Sequence, residues 1–371
     1  MPAAPSLIRS LMGIGRRTDA APAPLRPRGR RVAPRALAWG LAIFAAVQLG
    51  IGLTSELYPR LRDPLYGDKF VKLKRRLPAG HPPTVVMLGS SRTGLAFHGK
   101  HAERVLDGLG RSVVAFNYGV PASGPVTHLV YLNRLLGDGV RPDLVVLEVM
   151  PSMLTGGADA PLEKNWFHPD RLKYAEQEIV IRHGYDAADV RERWAKSVLV
   201  PAYSLRFQIM SRLSPSWLPW QLRFDWSRGS DECGWGTTVS QAIDATMLAK
   251  GQARARAEYA PVLGGLTPGG PATAALEELL AVCRERGIAV RVVLMPEGSV
   301  FRSFYGPGVN DRLVAFLNEL TDRAGVPRTV DCRGWLDDGA FYDSHHMFAA
   351  GAEAFTDRLA REVIEPALRE R

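Results

Sequence analysis

Short apolar runs and amphipathic stretches alternate through most of the chain. A β-branched run at 84–88 ends at a glycine and predicts a buried strand. Similar runs predict further strands at 112–116, 143–149, 288–294 and 328–331. The stretches between and after them predict helices at 98–109, 126–136, 272–286, 310–324 and 349–368. Continuously apolar strands that alternate with helices indicate the α/β class, with a parallel sheet covered on both faces.

The segment 155–270 interrupts this alternation. It contains six of the eight tryptophans, namely Trp166, Trp194, Trp217, Trp220, Trp226 and Trp235. Because the α/β pattern resumes after it, we interpret the segment as a Trp-rich insertion within one domain that covers residues 81–371. The aromatic side chains have three alternative roles: lining a sugar-binding cleft, contacting a membrane interface, or filling a small core of their own.

An uncharged stretch at 36–53 lies near the N-terminus, and its one side-chain amide is Gln48. As a helix it would be about 27 Å long, so we predict a transmembrane helix at 36–54 that contacts the lipid bilayer. A signal peptide and a buried soluble helix are the alternatives. The first would have an unusually long basic region. Residues 55–80, with their charges and prolines, are predicted to be a linker.

Positive charge is concentrated at one end of the chain. Residues 1–35 carry eight arginines and one acid, which is +7 of the net charge of +9 and leaves +2 for the rest. The domain itself therefore lacks the basic surface that nucleic-acid binding requires. The asymmetry predicts a cytoplasmic tail at 1–35, a single pass through the cytoplasmic (inner) membrane, and an extracytoplasmic domain.

Neither the cysteines nor the histidines indicate a metal site or a cofactor. Cys233, Cys283 and Cys332 show no paired metal-ligand spacing, although one disulfide bridge stays open. His98 and His101 have a helical spacing, but the sequence places no third ligand beside them. We therefore expect no metal and no cofactor.

Two separate motifs carry the candidate chemistry. The first predicted strand ends in Gly-Ser-Ser, which places Ser91 at a strand end, just before a helix. Asp343 and His346 lie in an Asp-x-x-His motif before the last helix, where the carboxylate can orient the imidazole toward a serine. His345 is the other candidate base, with a less suitable spacing from the aspartate. Serine and histidine at the same edge of a parallel sheet predict nucleophilic catalysis.

With these motifs the chain resembles the SGNH (GDSL-like) hydrolase superfamily. Within it, the chain resembles the membrane-attached polysaccharide O-acetyltransferases and DltD-like proteins, whose first motif reads Gly-Ser-Ser or Gly-Thr-Ser. The resemblance covers about residues 84–150 and 288–360. It implies a flavodoxin-like parallel sheet, a catalytic triad of Ser91, Asp343 and His346, and an oxyanion hole formed by the backbone amides of Ser91 and Gly119.

One motif departs from the family pattern. Family members commonly have an asparagine after the third strand as a further oxyanion donor, whereas this chain has Glu148 there. An ionised carboxylate cannot donate a hydrogen bond. Either Ser152 or a residue of the insertion replaces the asparagine, or the oxyanion hole has two donors. The candidate substrate contacts are Arg92, Asn117, Ser152, Glu297 and Arg302.

The resemblance implies a serine esterase or O-acyltransferase that acts on acyl esters, with acetyl favoured, of cell-envelope polysaccharide through an acyl-serine intermediate. The expected partners are a cell-envelope glycan and a multi-pass membrane protein that donates the acyl group, because acetyl-CoA is not expected outside the cytoplasm. Two alternatives stay open: a lipid or small-ester hydrolase, and a non-catalytic glycan-binding scaffold with a degenerate site.

Overall fold

The computed structural model of the protein describes residues 33–155, 162–236 and 243–370. Its centre is a five-stranded parallel sheet with the strand order β2-β1-β3-β4-β5. The strands are β1 Thr84–Gly89, β2 Val114–Gly119, β3 Leu144–Glu148, β4 Ala289–Leu294 and β5 Val330–Asp331. The predicted parallel α/β architecture is therefore confirmed, with strand ends that differ from the predictions by up to three residues.

Helices precede, separate and follow these strands. The first group contains α1 Ala33–Leu57, α2 Pro59–Arg62, α3 Pro64–Arg75, α4 Ser91–Ala96, α5 Gly99–Gly108 and α6 Pro125–Gly137. The Trp-rich insertion contributes α7 Gln177–Arg182, α8 Ala187–Leu199, α9 Pro201–Ser204, α10 Arg206–Leu213 and α11 Ala245–Leu263. The C-terminal part contains α12 Gly270–Glu285, α13 Ser299–Arg302, α14 Val309–Ala324 and α15 Ala349–Leu359, followed by a π-helical turn and α16 Glu365–Arg369.

Each face of the sheet is covered by its own hydrophobic core. Successive residues of β1 point to opposite faces, so Val86 and Leu88 join one core while Val85 and Met87 join the other. Apolar side chains of α3, α6, α12 and α14 fill the first core, and those of α4, α5 and α15 fill the second. The carboxyl ends of β1, β2 and β3 consequently lie side by side at one edge, where loops of all three can meet.

The stretch predicted to be a linker, 55–80, is instead helical and packed against the domain. Tyr66 and Leu73 of α3 are fully buried. Asp63 accepts hydrogen bonds from the first turn of α3 and forms an ion pair with the buried Arg134 at 2.9 Å. The linker prediction was wrong because the charges that suggested a linker have partners far away in the sequence.

The Trp-rich insertion is joined to the same core. Its Glu163 carboxylate accepts hydrogen bonds from the backbone amides at the start of α6, and its Glu176 pairs with Arg134. Trp194 packs against the first core and Trp235 against the second. Trp166, Trp217 and Trp220 are instead 48%, 78% and 64% exposed. The three cysteines are buried free thiols, so no disulfide bridge forms among them.

The first helix, α1, is long and apolar enough to cross a membrane from Pro34 to Leu57. Only 6% of its most apolar window is buried, which distinguishes it from the core helix of a soluble domain. It begins three residues before and ends three residues after the predicted span of 36–54. Large apolar side chains such as Leu41 and Leu49 are more than half exposed along it.

Candidate active site

Ser91 lies where β1 turns into α4 at the carboxyl edge of the sheet. It is the first residue of that helix, and the side chain of Ser90 caps the helix by accepting a hydrogen bond from the amide of Arg92 at 3.1 Å. A side chain at Gly89 would collide with Thr93 and Glu148, so only glycine fits at the end of β1. The turn therefore holds Ser91 in one place, half-exposed, with its hydroxyl outside the strand.

Glu148, at the end of β3, holds this turn through hydrogen bonds. Its buried carboxylate accepts hydrogen bonds from the amide and hydroxyl of Ser90, both at 2.8 Å, and from the amide and hydroxyl of Thr93 at 3.2 and 2.5 Å. Glu148 is thus an anchor for the turn that carries Ser91 and not an oxyanion donor. A single acid at the end of an apolar strand was the available signal, but its partners could not be read from the sequence.

The structure brings the other two candidate residues to Ser91. The hydroxyl of Ser91 lies 2.9 Å from Nε2 of His346, and Nδ1 of His346 lies 2.7 Å from the carboxylate of Asp343. Asp343 also accepts a hydrogen bond from the amide of His346 at 2.8 Å. Because the carboxylate accepts from Nδ1, the lone pair of Nε2 faces the serine hydroxyl. The three groups form one continuous proton-transfer chain.

The electrostatics of Asp343 keep it ionised. Burial raises the pKa of Asp343, but its hydrogen bond with the His346 ring and its interactions with the two adjacent histidine side chains lower it to about 2. An ionised carboxylate at this position holds the proton on Nδ1 of His346 and stabilises the imidazolium that would form when Nε2 takes a proton.

His345, the alternative base, occupies a different environment. Its ring is buried against Tyr259 and Phe301, with centroid distances of 5.2 and 5.0 Å. Burial, with the nearby charge of His346, lowers the pKa of His345 to about 3, so the ring is neutral at ordinary pH. It makes no hydrogen bond to Ser91 among the described residues. The geometry therefore assigns the position of the base to His346.

The loop that carries the histidines adopts a strained conformation. Ser344, between Asp343 and His345, has a φ of 81°, in the left-handed region that disfavours residues other than glycine. Its carbonyl accepts a hydrogen bond from the amide of Gly298 at 2.8 Å, and a short bridge between Phe341 and Met347 closes the loop. The strand-end loop after β4 thereby holds the turn in the conformation that directs Asp343 and His346 toward each other.

Of the two backbone amides predicted to form the oxyanion hole, only one is available as a donor. No acceptor lies on the backbone amide of Ser91 among the described residues, which suits a donor at a helix start. The amide of Gly119, however, donates to the side-chain oxygen of Asn117 at 2.9 Å. Asn117 is fully buried, and its nitrogen donates to the carbonyls of Thr93 and Phe97 at 2.8 and 2.7 Å. Asn117 is therefore a structural residue and not a substrate contact.

Three other predicted substrate contacts are also structural. The guanidinium of Arg92 is buried under the end of β4, where it donates to the carbonyls of Met295 and Pro296 and pairs with Glu297 at 3.3 Å. Glu297 is fully buried, and burial raises its pKa against the lowering effect of Arg92. Arg302 donates to the carbonyl of Glu297. Their position at a strand end suggested substrate binding, but none of the three lines either cleft beside Ser91.

Ser152, the candidate third oxyanion donor, does not face the site. It lies in a 3₁₀ turn at Pro151–Met153, is 4% exposed, and its hydroxyl has no hydrogen-bond partner among the described residues. Its neighbours Met150 and Met153 line the cleft in its place. A shift of one residue along the turn is enough to exchange a hydroxyl for a thioether at the cleft wall.

A cleft of about 930 Å³, called the first cleft below, lies over Ser91 and His346. Helix α11 of the insertion forms one wall of this cleft. Most of the other side chains that line the cleft are apolar or aromatic, including Met150, Met153, Trp166, Met247, Tyr259 and Tyr342. Lys250, Arg254 and Glu258 place two cations and one acid on the α11 side. The site therefore combines a chain of hydrogen bonds with a largely apolar cleft that carries charged side chains of both signs at one wall.

A second cleft, of about 550 Å³, reaches Ser91 from the side of α3 and β2. Leu65, Leu95 and Trp220 supply its apolar surface, and several glycines, including Gly119, supply exposed backbone. Lys69 lies in this wall and donates to the carbonyls of Asn117 and Gly234. Burial, with the charge of Lys72, lowers the pKa of Lys69 to about 7. Ser91 is consequently accessible from two sides.

Two groups of residues have metal-ligand chemistry. Glu353 of α15 comes within 4.8 Å of the ligand atoms of His98 and His101, a neighbour that the sequence did not indicate. In that group Nδ1 of His101 already accepts from Arg104 at 3.2 Å, which leaves its other nitrogen protonated when the ring is neutral. The second group is Asp343 with the two adjacent histidines. There the paired hydrogen bonds account for both nitrogens of His346.

Comparison with known proteins gives a partial match. Residues 69–181 match the family described as a protein of unknown function (DUF1574). No curated protein matches the chain. The matched region contains the first three strands, with Ser91 and Glu148, and it ends before the loop that carries Asp343 and His346. Over these residues the chain is therefore similar to a family whose description names no activity.

Proposed function

We propose that the protein is an SGNH-type serine O-acyltransferase or esterase that acts on acyl esters of cell-envelope polysaccharide. One observation carries the proposal: the continuous chain from the Ser91 hydroxyl to Nε2 of His346 at 2.9 Å and from Nδ1 of His346 to Asp343 at 2.7 Å. A serine hydroxyl hydrogen-bonded to an imidazole that an ionised carboxylate orients is the arrangement that activates a hydroxyl for acyl transfer.

The reaction would proceed in two halves. Nε2 of His346 takes the proton of Ser91 as Oγ attacks the ester carbonyl carbon, and the amide of Ser91 stabilises the resulting oxyanion. Collapse breaks the bond to the leaving oxygen, which receives the proton from His346 and departs as an alcohol. A sugar hydroxyl or water then gives its proton to His346 and attacks the acyl-serine, which restores the Ser91 hydroxyl.

The oxyanion donors support slow acyl transfer more than fast hydrolysis. The amide of Gly119 can serve as a donor only when it exchanges its bond to the Asn117 side chain for the oxyanion. In other enzymes, loss of one such donor costs about 2.7–4 kcal/mol in the transition state. A protected acyl-serine that waits for an acceptor tolerates this loss better than an enzyme selected for rapid turnover.

The cell-envelope substrate and the membrane location rest on the resemblance and on α1. The resemblance supplies the polysaccharide, the acetyl group and a multi-pass membrane protein as acyl donor. The length, apolarity and exposure of α1 support a single-pass anchor, and the arginine-rich segment 1–35 supports an orientation with that segment in the cytoplasm. The site would then face the extracytoplasmic side.

Labelling with a fluorophosphonate probe tests the proposal. The full-length protein in detergent micelles is expected to react at Ser91, and the Ser91→Ala variant is expected to stay unlabelled. Ser152→Ala is the matched control, because this buried hydroxyl has no hydrogen-bond partner among the described residues and faces neither cleft. An unlabelled but folded wild type, or equal labelling of Ser91→Ala, would refute the enzyme and favour a glycan-binding scaffold.

A lipid or small-ester hydrolase is the second candidate, and the apolar lining of both clefts favours it. The two activities differ in what accepts the acyl group. With an activated acetyl ester as donor, a transferase is expected to acetylate an added oligosaccharide at the expense of acetate release. A hydrolase would release acetate at a rate that the oligosaccharide does not change.

A further inference from the structure

Large apolar side chains are exposed on one short stretch of the Trp-rich insertion. Seven of them, with exposed fractions from 36% to 78%, form what we call the 198–220 surface: Val198, Leu199, Val200, Tyr203, Leu213, Trp217 and Trp220. They belong to the end of α8, to α9 and α10, and to the turns that follow. Exposed apolar residues at this density indicate a surface that contacts something other than water.

The charged residues within the segment that forms this surface are all cations. From residue 193 to residue 224 the chain contains five cations and no acid. Four of the cations contact carboxylates: Arg193 and Arg212 pair with Asp170 and Asp68, and Lys196 and Arg223 pair with Glu192 and Asp225, which flank the segment. The fifth, Arg206, has no carboxylate partner among the described residues, and its guanidinium lies over the rings of Tyr203 and Phe207 at 4.0 and 4.2 Å. An apolar surface with aromatic rings and an arginine that has no carboxylate partner among the described residues suits the anionic interface of a bilayer.

The contact between this surface and the last part of α1 also supports a bilayer as the partner of the surface. The side-chain oxygen of Gln48 accepts a hydrogen bond from the amide of Ala202 at 3.0 Å, and Gln48 is only 9% exposed. One turn further along α1, a Cβ built on Gly52 would lie 3.7 Å from the ring of Pro201. The amide of the apolar stretch therefore finds its partner on the α8–α9 turn. Without such a partner, an amide in hydrocarbon is strongly unfavourable.

The position of this contact along α1 gives its depth in a bilayer that α1 spans. Gln48 lies five residues before Leu53, where the uncharged stretch ends, which is about 8 Å along a helix. An interfacial element typically enters a bilayer by about 5–10 Å. Segment 198–203 therefore lies at the level where headgroups give way to acyl chains, provided that α1 spans the bilayer.

We propose that the 198–220 surface inserts into the interface of the leaflet next to the folded domain, as a second, non-spanning membrane contact beside α1. Two contacts fix the orientation of the domain relative to the bilayer, which a single helix does not do. Trp220 belongs both to this surface and to the second cleft. The second cleft therefore reaches the interface, and an acyl donor held in the membrane could approach Ser91 along it.

Fluorescence quenching in vesicles tests the inference. The full chain is reconstituted in phosphatidylcholine–phosphatidylglycerol vesicles that contain lipids with a nitroxide on the acyl chain. An environment-sensitive NBD label is attached at Leu199→Cys. Leu109→Cys is the matched control, because Leu109 is 39% exposed and lies before β2, at the opposite edge of the sheet from Ser91. The native thiols are buried, so they should not react.

We expect a blue-shifted emission and several-fold stronger quenching at position 199 than at position 109. A label at Leu41→Cys in α1 separates the two parts of the argument. Quenching at 41 with an aqueous signal at 199 would overturn the inference and leave the anchor intact. Aqueous signals at both positions would overturn the inference together with the anchor, whereas the fluorophosphonate result at Ser91 is independent of either outcome.

Discussion

The nucleophile turn and the histidine loop meet at one hydrogen bond, but different forces hold them. The turn at Ser90–Thr93 rests on a buried carboxylate, Glu148, that accepts four hydrogen bonds from it. The histidine loop rests on Asp343, which is itself part of the proton-transfer chain, and contains a strained Ser344. In the first region support and chemistry belong to different residues, and in the second the same residue provides both.

The largest effect on the labelling rate is expected at the histidine loop. Replacing His346 with alanine removes the base, and we expect probe labelling of Ser91 to slow by roughly 10⁴- to 10⁶-fold. His345→Ala is the matched control, because its neutral ring packs against Tyr259 and Phe301 and has no contact with Ser91. The labelling rate of this control variant is expected to fall far less. Equal losses in the two variants would contradict the assignment of His346.

At the nucleophile turn we expect stability and labelling to change together. Glu148→Gln keeps the shape but replaces one acceptor oxygen with a donor that faces Ser90 or Thr93. We expect the free energy of unfolding to fall by about 3 kcal/mol and labelling to slow by roughly 10–100-fold. Thermal unfolding and the labelling rate measure the two effects.

Glu163→Gln is the matched control for Glu148→Gln. This buried carboxylate also accepts four hydrogen bonds, but from the start of α6 rather than from the nucleophile turn. It is expected to lose comparable stability and to keep the labelling rate of the wild type. If both variants slow labelling to the same extent, Glu148 acts only through general stability and does not position Ser91.

A smaller effect concerns pH and the neutral His345. Its pKa is about 3 in the folded protein and near 6.5 when unfolded, so the unfolded state alone takes up a proton as the pH falls through this interval. The stability should be complete above pH 6.5 and decrease by about 2 kcal/mol at pH 5. Asp343, with a pKa lowered from 3.8 to about 2, loses its contribution only between those values.

Denaturant unfolding of the wild type and of His345→Phe at pH 8 and pH 5 checks this expectation. Phenylalanine keeps the ring packed against Tyr259 and Phe301 and removes the titrating group. The wild type should lose more stability between the two pH values than the variant, by the amount given above. An identical pH dependence in both proteins would show that His345 is not held neutral by burial.

The sequence was informative where short-range patterns determine the structure. Apolar runs located the strands to within a few residues, and the two motifs placed Ser91, Asp343 and His346 at the same edge of the sheet. Both depend on local spacing and on the general rule that loops at the carboxyl ends of parallel strands meet. Long-range partners were beyond such patterns.

The predictions that failed concern side chains whose partners lie far away in the sequence. Arg92 was expected to contact substrate, but Glu297 and the carbonyls after β4 bind it in the core. Asn117 was expected at the site, but it satisfies buried backbone groups around α4. The charged segment 55–80 was expected to be a linker, but it is helical, and its Asp63 pairs with Arg134, 71 residues away. Buried polar residues acquire partners from the fold, so their type alone does not distinguish support from function.

The position of Ser91 between two clefts has a consequence for turnover. A donor that arrives through one cleft and an acceptor that arrives through the other would reach the same Oγ without occupying the same volume. The spent donor would then not have to dissociate before the acceptor binds, and a bound acceptor would exclude water during the lifetime of the acyl-serine. The ratio of transfer to hydrolysis would depend on how fully the acceptor occupies its cleft, more than on the intrinsic reactivity of the ester.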